Sequence, residues 1–420
     1  MTDIARDDAP KGFRSRVEER LGRGNRGAVA MWFWELDRVL LLLAFILIAA
    51  GLIAVAAASP ATARRYSEGA HQIAPMYYFW RQAMWVAVSV PVMLVVSMLP
   101  TTLARRFALA AAAFFGIALI ATPFIGVEVN GARRWLGFGI AQFQPSEFLK
   151  PVFIVTIAWM LSLRARDPDL PMVPVTFVLT GIVGVALMLQ PDFGQTIIFS
   201  SVWLILMMVA GASPKLIGGL FGAGLAGIVA AYVFYGTARI RIDNFLFPDH
   251  GGAGGDHYQT DMAHATLTAG GLTGTGPGGG DVKFRLPEAH TDYIFSVIGE
   301  EFGLIACLAI ALLYLAIVAR VLIKLLDEES SFAILAAAGL VIAFGLQAMI
   351  NMAVNVQIAP SKGMTLPFIS YGGSSMLALS IAMGLLLAFT RRNPYLTRSP
   401  YVVKWSGEPA KVQPRMQSKK

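Results

Sequence analysis

Asp292 is the residue whose setting best suits a base. It closes the run Leu286-Pro287-Glu288-Ala289-His290-Thr291-Asp292-Tyr293. An apolar block begins right after it, so the carboxylate stands where a helix start leaves orphan N–H groups and a positive dipole end. Two uses fit that position. It could be an ionised base at a membrane surface, or Thr291 or Asp292 could be no more than an N-cap. The spacing leaves both open.

Three other runs share the setting: Pro145-Ser146-Glu147, Pro191-Asp192, and Ser370-Tyr371-Gly372-Gly373-Ser374-Ser375. Each fits a cap. Together they would form a rim of helix N-termini, which suits anions, and the glycines at 372 and 373 would let a ligand approach the backbone. Glu147, Lys150, Glu300 and Glu301 fall inside or at the edge of apolar blocks. Ionisable groups there are costly and usually paired or functional. Glu147 and Lys150 are three apart, so a structural ion pair is the plain alternative. His250, His257, His264 and His290 lie with Asp249, Asp256 and Asp261 in or beside one long loop, but the spacings match no zinc pattern. Neither a metal nor another cofactor is expected, and the sequence does not by itself predict a divalent cation.

The elements that must position these residues are membrane helices. Hydrophobic residues make up 56% of the chain and charged residues 14%, against about 25% charged in a soluble domain. Ten apolar blocks run roughly 39–58, 78–99, 106–125, 147–163, 173–189, 193–211, 215–236, 293–319, 331–353 and 368–390, most near the length a helix needs to span a bilayer. The expected fold is an all-α polytopic membrane protein with about ten transmembrane helices. The expected organisation is a basic tail at 1–38, one membrane domain at 39–392 with an outer loop at 237–291 between helices 7 and 8, and a second basic tail at 393–420.

The net charge of +8 does not point to nucleic acid. With both termini inside, both tails and the short inner loops are basic, as the positive-inside rule requires, and the tails would lie against anionic lipid. No cleavable signal peptide is expected. Arg64, Arg65, Arg81, Arg133, Arg134, Lys150, Arg239, Arg241, Lys283, Arg285 and Lys362 face outward against this bias. They are either scattered solvated charge or a cationic surface for an anionic, membrane-bound ligand such as a lipid pyrophosphate. The lone cysteine, Cys307, rules out a disulfide framework.

Four segments resemble the signatures of the SEDS family (shape, elongation, division and sporulation proteins), in family order. They are Asn130-Gly131-Ala132-Arg133-Arg134-Trp135-Leu136 with Gln144-Pro145-Ser146-Glu147-Phe148; Gln190-Pro191-Asp192-Phe193-Gly194; Leu286 to Tyr293 continuing into Ile298-Gly299-Glu300-Glu301-Phe302-Gly303; and Pro360-Ser361-Lys362-Gly363 through Ser375. The Ser-Lys-Gly-Met-Thr-Leu-Pro stretch, Asn355 and Arg239-Ile240-Arg241 resemble the division branch. Asn355 to Ala359, and Tyr293 in place of a common Phe, depart from the usual pattern.

The resemblance implies a ten-span peptidoglycan glycosyltransferase of the bacterial inner membrane, both termini cytoplasmic, acting at the division septum. It would polymerise lipid II into β-1,4 strands and release undecaprenyl pyrophosphate. It implies Asp292 as the catalytic base. The substrate-binding candidates that go with it are Arg133, Arg134, Trp135, Glu147, Lys150, Asp192, Arg239, Arg241, Glu288, His290, Lys362, Ser370, Ser374 and Ser375. It also implies a class B penicillin-binding protein of the FtsI type as partner, among other divisome membrane proteins. Two other classes compete: a lipid II flippase, which would place its charges near the midplane along a path, and a non-catalytic scaffold.

Overall fold

The computed structural model describes residues 28–67, 72–129, 132–137, 142–165, 167–246, 255–360 and 363–391. Two compact units divide the chain. One is Asp37–Thr390; the other comprises the segments on either side, of which the short helix α1, Ala28–Glu35, is described.

The ten apolar blocks form ten apolar helices. In chain order these are α2 (Arg38–Tyr66), α3 (Tyr77–Ser97), α4 (Thr101–Ile125), α5 (Pro145–Arg164), α6 (Met172–Leu189), α7 (Phe193–Val209) and α8 (Pro214–Phe234). After α9 (Gly236–Leu246) and α10 (Gly255–Ala269) come α11 (Ile294–Leu325), α12 (Ser331–Asn355) and α13 (Gly373–Phe389). Among the described residues eight of these are long and apolar enough to cross a membrane; α7 and α13 are apolar but shorter. Between α4 and α5 an antiparallel hairpin pairs β1 (Val127–Val129) with β2 (Ala132–Trp135), Val127 opposite Trp135 and Glu128 opposite Arg133.

Burial sorts the helices. α5 and α12 are the most enclosed of the eight and lie against each other at the centre. α4 turns Phe114, Ile117 and Phe124 outward, and α8 buries nothing. Apolar side chains facing out are what a lipid solvent permits. α2 buries Leu40, Ala44, Leu47, Gly51, Ala54 and Ala58, one stripe at helical spacing. Gly51 has no alternative, because a Cβ there would overlap the Phe368 carbonyl oxygen. At its start Asp37 caps Val39 and Leu40 and accepts from Arg320 and Lys324 of α11, which ties those two helices at one end. α2 is 29 residues long, more than the ~20 a bilayer needs, so its last turns extend beyond an ordinary span.

The eighth span, expected at 293–319, is interrupted in the structure. α11 breaks at Gly303 (φ 79, ψ 179). Ile294 to Glu301 are all buried, whereas Leu304, Ile305 and Leu308 face out. The first part is therefore packed inside protein, and the membrane-length part follows the break. Freed backbone groups at a break in an apolar setting must find partners. Here Leu304 N and Ile305 N donate to Gly271 and Leu272 O, and Thr275 N and Gly276 N donate to Glu300 and Glu301 O. The break was not read from the sequence because a glycine inside an apolar block is tolerated in a helix, although Glu300 and Glu301 just before it are charges in that block.

Candidate active site

Segments that the sequence singles out far apart meet at one end of the bundle. The turn Leu286–Tyr293 packs through Leu286, Ala289 and Tyr293 onto Ala58 of α2, Ala263 of α10 and Val354 of α12. Glu288 takes a left-handed backbone (φ 50). Its carbonyl accepts from Thr291 N and Tyr293 N, and its carboxylate accepts from Tyr66 Oη (2.8 Å) and Thr291 Oγ1 (2.8 Å). The N-cap of α11 is Tyr293, without a side-chain bond. The plain reading of Thr291 as that cap is thus set aside: its hydroxyl turns back to Glu288.

Asp292 is half-buried. Its backbone carbonyl accepts from Asn351 Nδ2 (2.8 Å) and Asn355 Nδ2 (3.1 Å). Gly363 faces its carboxylate: a Cβ on Gly363 would stand 3.3 Å from Oδ2. The 363–375 segment is bolted to the same turn. Ser370 Oγ donates to Thr291 O (2.5 Å), Leu366 N donates to Ser370 Oγ, and Tyr371 N donates to His290 O (2.9 Å). Ser375 Oγ lies 3.0 Å from Thr365 Oγ1. Ser374 is half-buried at the start of α13.

His290 is buried beneath the rings of Tyr78 (4.6 Å), Tyr371 (5.1 Å) and Tyr66 (6.5 Å). Its Nδ1 meets no hydrogen-bond partner among the described residues. Burial pushes the imidazole down to about 4, with Glu288 opposing. At neutral pH it is an uncharged ring.

A second polar group lies inside the bundle. Glu147 and Lys150 are both buried and form the i,i+3 ion pair (3.2 Å). Neither lacks support: Gln195 Nε2 donates to Glu147 Oε1 (2.5 Å), and Lys150 Nζ donates to Gln347 Oε1 (2.7 Å). Asp192 caps α7 through Gln195 N and accepts from Gln144 Nε2. Burial raises the Asp192 carboxyl above the usual carboxylate value, against the lowering pull of Arg134.

The candidate cations separate. Arg134 donates to the carbonyls of Gln190 (3.0 Å) and Pro191 (2.6 Å), stapling the hairpin to the α6–α7 turn. Arg133 pairs with Glu128 on the exposed hairpin, and Trp135 is half-buried on β2. Arg239 pairs with Asp243 and lies over the Tyr232 ring, contacts within α8 and α9. Lys362 and the side chain of Arg241 lie outside the described residues, as do the side chains of His250 and His257. Lys283 is buried and ion-paired with Glu301, while Glu300 accepts from Val282 N and Lys283 N. Among the described residues no group of three or more His, Cys, Asp and Glu is arranged for a metal.

Sequence reasoning passed over Gln195, Gln347 and Asn351, and Tyr66 and Tyr78 beside His290. One signal was available for two of them. Gln347, Asn351 and Asn355 are polar residues at i, i+4 and i+8 in an apolar helix, all buried on one face.

The family model for FtsW, RodA and SpoVE, described as cell cycle protein, matches residues 37–395. The chain belongs to the FtsW/RodA/SpoVE family. Among its relatives is the probable peptidoglycan glycosyltransferase FtsW of Caulobacter vibrioides, 39% identical over 386 residues, 90% of this chain and 95% of that protein. The protein of the same description from Alkalilimnicola ehrlichii is 35% identical, covering 88% and 92%. Among solved structures, a chain of a peptidoglycan synthase complex that coordinates polymerization and crosslinking matches with TM-score 0.68 at 25% identity, over 84% of this chain and 97% of that one. The rod shape determining protein RodA of Thermus thermophilus matches in fold with TM-score 0.61. This family member is a multi-pass, predominantly helical membrane protein.

Proposed function

We propose that this chain is a peptidoglycan glycosyltransferase that polymerises lipid II, with Asp292 as the base. The observation that carries the reading is the convergence on the Asp292 turn: α12 amides hold its carbonyl, Ser370 and Tyr371 hold the residues before it, and Gly363 faces its carboxylate. A half-buried carboxylate on a turn pinned from three sides is what proton abstraction in a fixed geometry needs. The FtsW relatives carry the activity's name across nearly their whole length.

In the reaction Asp292 accepts the proton of the acceptor sugar's 4-hydroxyl as that oxygen attacks the donor's anomeric carbon. The C–O bond to pyrophosphate breaks on the opposite face, and undecaprenyl pyrophosphate leaves with the electron pair. One displacement turns the α-linked donor into a β-1,4 bond. The leaving group's charge needs cations in place beforehand. The candidates are Arg133, Arg134, Lys150, Arg239, Arg241 and Lys362. Of these, Arg133, Arg134, Lys150 and Arg239 would each have to exchange a contact already made.

The site faces the outer side of the inner membrane, with both termini in the cytoplasm, and works at the division septum. The partner is a class B penicillin-binding protein, the crosslinking half of such a synthase. A flippase is not favoured. Glu147 and Lys150 are closed off by Gln195 and Gln347 rather than strung along a path, and the relatives are named for a transferase.

The test is purified protein with its cognate penicillin-binding protein and lipid II in vesicles, read by gel for glycan strands and by quenching for lipid II translocation. Strands without translocation support the reading. Translocation without strands replaces it by the transporter.

A further inference from the structure

Three amides on one face of α12 stand at successive turns, Gln347, Asn351 and Asn355, each at most 2% exposed. A side-chain amide deep in an apolar bundle is costly unless its hydrogen bonds are made. Here the bonds go to function-bearing segments. Asn351 Nδ2 donates both to the Asp292 carbonyl (2.8 Å) and to the Met364 carbonyl (2.6 Å). Gln347 Nε2 donates to the next carbonyl, Thr365 (3.0 Å), while its Oε1 receives Lys150 Nζ (2.7 Å). Asn355 backs the row, donating to the Asp292 carbonyl and accepting from Ser296 N and Oγ.

The row therefore touches both polar groups of the site. At one end is the Asp292 turn, at the other the Lys150–Glu147 pair, and between them the backbone of 363–365 is held at two consecutive carbonyls. α12 is one continuous, largely buried helix, so the spacing of the two groups is set by helix geometry.

We infer that Asn351 and Gln347 are positioning residues that lock the base to the buried cation through α12. The inference rests on Asp292 being the base. Asn351 donates to the backbone carbonyl of Asp292, so it acts through the backbone on which the carboxylate is carried. A misplacement on the order of 1 Å in such a constellation costs about 100-fold in rate, so the row's effect falls on turnover rather than on substrate capture.

The discriminating variant is Asn351→Asp. It keeps shape and removes the two N–H donors at neutral pH. Its new buried carboxyl is pushed up by desolvation and regains one O–H donor when protonated. Gln347→Glu is the companion: it keeps an acceptor for Lys150 and loses the donor to Thr365. Both are compared with wild type and Asp292→Ala in the full complex with its penicillin-binding protein. The readouts are single-turnover rate, lipid II dissociation constant and melting temperature. The expected result for Asn351→Asp is a rate down about 10–100-fold, lipid II binding within about threefold, a folded complex, and a ratio to wild type that rises as pH falls. A rate loss that follows the melting temperature and stays flat with pH overturns the positioning role, because that is plain fold damage. A folded Asn351→Asp complex at wild-type rate overturns it too, provided Asp292→Ala is inactive. If Asp292→Ala still polymerises, the base reading itself has failed, and the two failures are told apart.

Discussion

Tyr66, the last residue of α2, donates its phenol hydroxyl to Oε1 of Glu288 at 2.8 Å. It thereby joins the protruding end of a membrane helix to the turn that carries Asp292. Arg65 adds a bond from Nη1 to Arg285 O, and Arg64 lies over the Phe284 ring. The extra length of α2 works as a post for that turn. Removing the phenol oxygen in Tyr66→Phe deletes one bond, a net effect of about 0.5–1.5 kcal/mol. Polymerisation should slow about 2–10-fold at unchanged expression. A wild-type rate would show that the post has no part in turnover.

The Lys283–Glu301 pair fastens the loop to the broken start of α11, and both side chains are buried. Removing one partner of a buried pair costs about 3–5 kcal/mol. Lys283→Met should lower the melting temperature sharply in detergent. Lys283→Met with Glu301→Gln together should recover part of the loss, because no charge is then left buried alone. The two melting curves check this directly.

Gly303 carries a φ of 79, and a Cβ there would overlap Gly274 N and Leu272 O. Gly303→Ala should cost about 1–3 kcal/mol from the backbone alone, plus the displaced 271–276 contacts. The expected outcome is a lower melting temperature together with lost polymerisation, since Ile294–Phe302 leads straight from Asp292.

His290 gives a pH dependence of known sign. Its folded-state value, pushed down to about 4 by burial, lies below the ordinary ~6.5 of the unfolded chain. Between those values the unfolded state binds more protons, so stability is full above about pH 6.5 and is lost as pH falls toward 4. The contribution is on the order of 3 kcal/mol. Melting temperature measured from pH 7.5 to 4 should fall, and His290→Phe should flatten the part between 6.5 and 4.

Much of this was legible because membrane spans announce themselves by length and polarity. All ten apolar blocks became helices; Glu147, Lys150, Glu300 and Glu301 stood out as charges where charge is expensive, and Asp292 by its place at a helix start. The break at Gly303 was not legible, since a glycine in an apolar helix has several meanings until a loop is seen to fill the gap. Arg134 was legible as a cation but not as a staple to Gln190 and Pro191. Its carbonyl partners are more than fifty residues away, and carbonyls carry no sequence signal. The segment 237–291 between α8 and α11 was expected as one long outer loop. Yet it holds α9 and α10 and packs Ala263 into the core beneath the Asp292 turn, because packing against α2 and α12 supplies what local propensity does not.

In the proposed reaction the Asp292 carboxylate takes the proton. The most direct measurement is the rate of glycan strand formation from lipid II by the purified complex, wild type against Asp292→Asn, with lipid II binding followed alongside. The Asn variant should fold, bind lipid II and its penicillin-binding partner, and lose about 100-fold or more in rate, the scale of general base catalysis. An Asn variant that polymerises at the wild-type rate would contradict it and place the base elsewhere in the site.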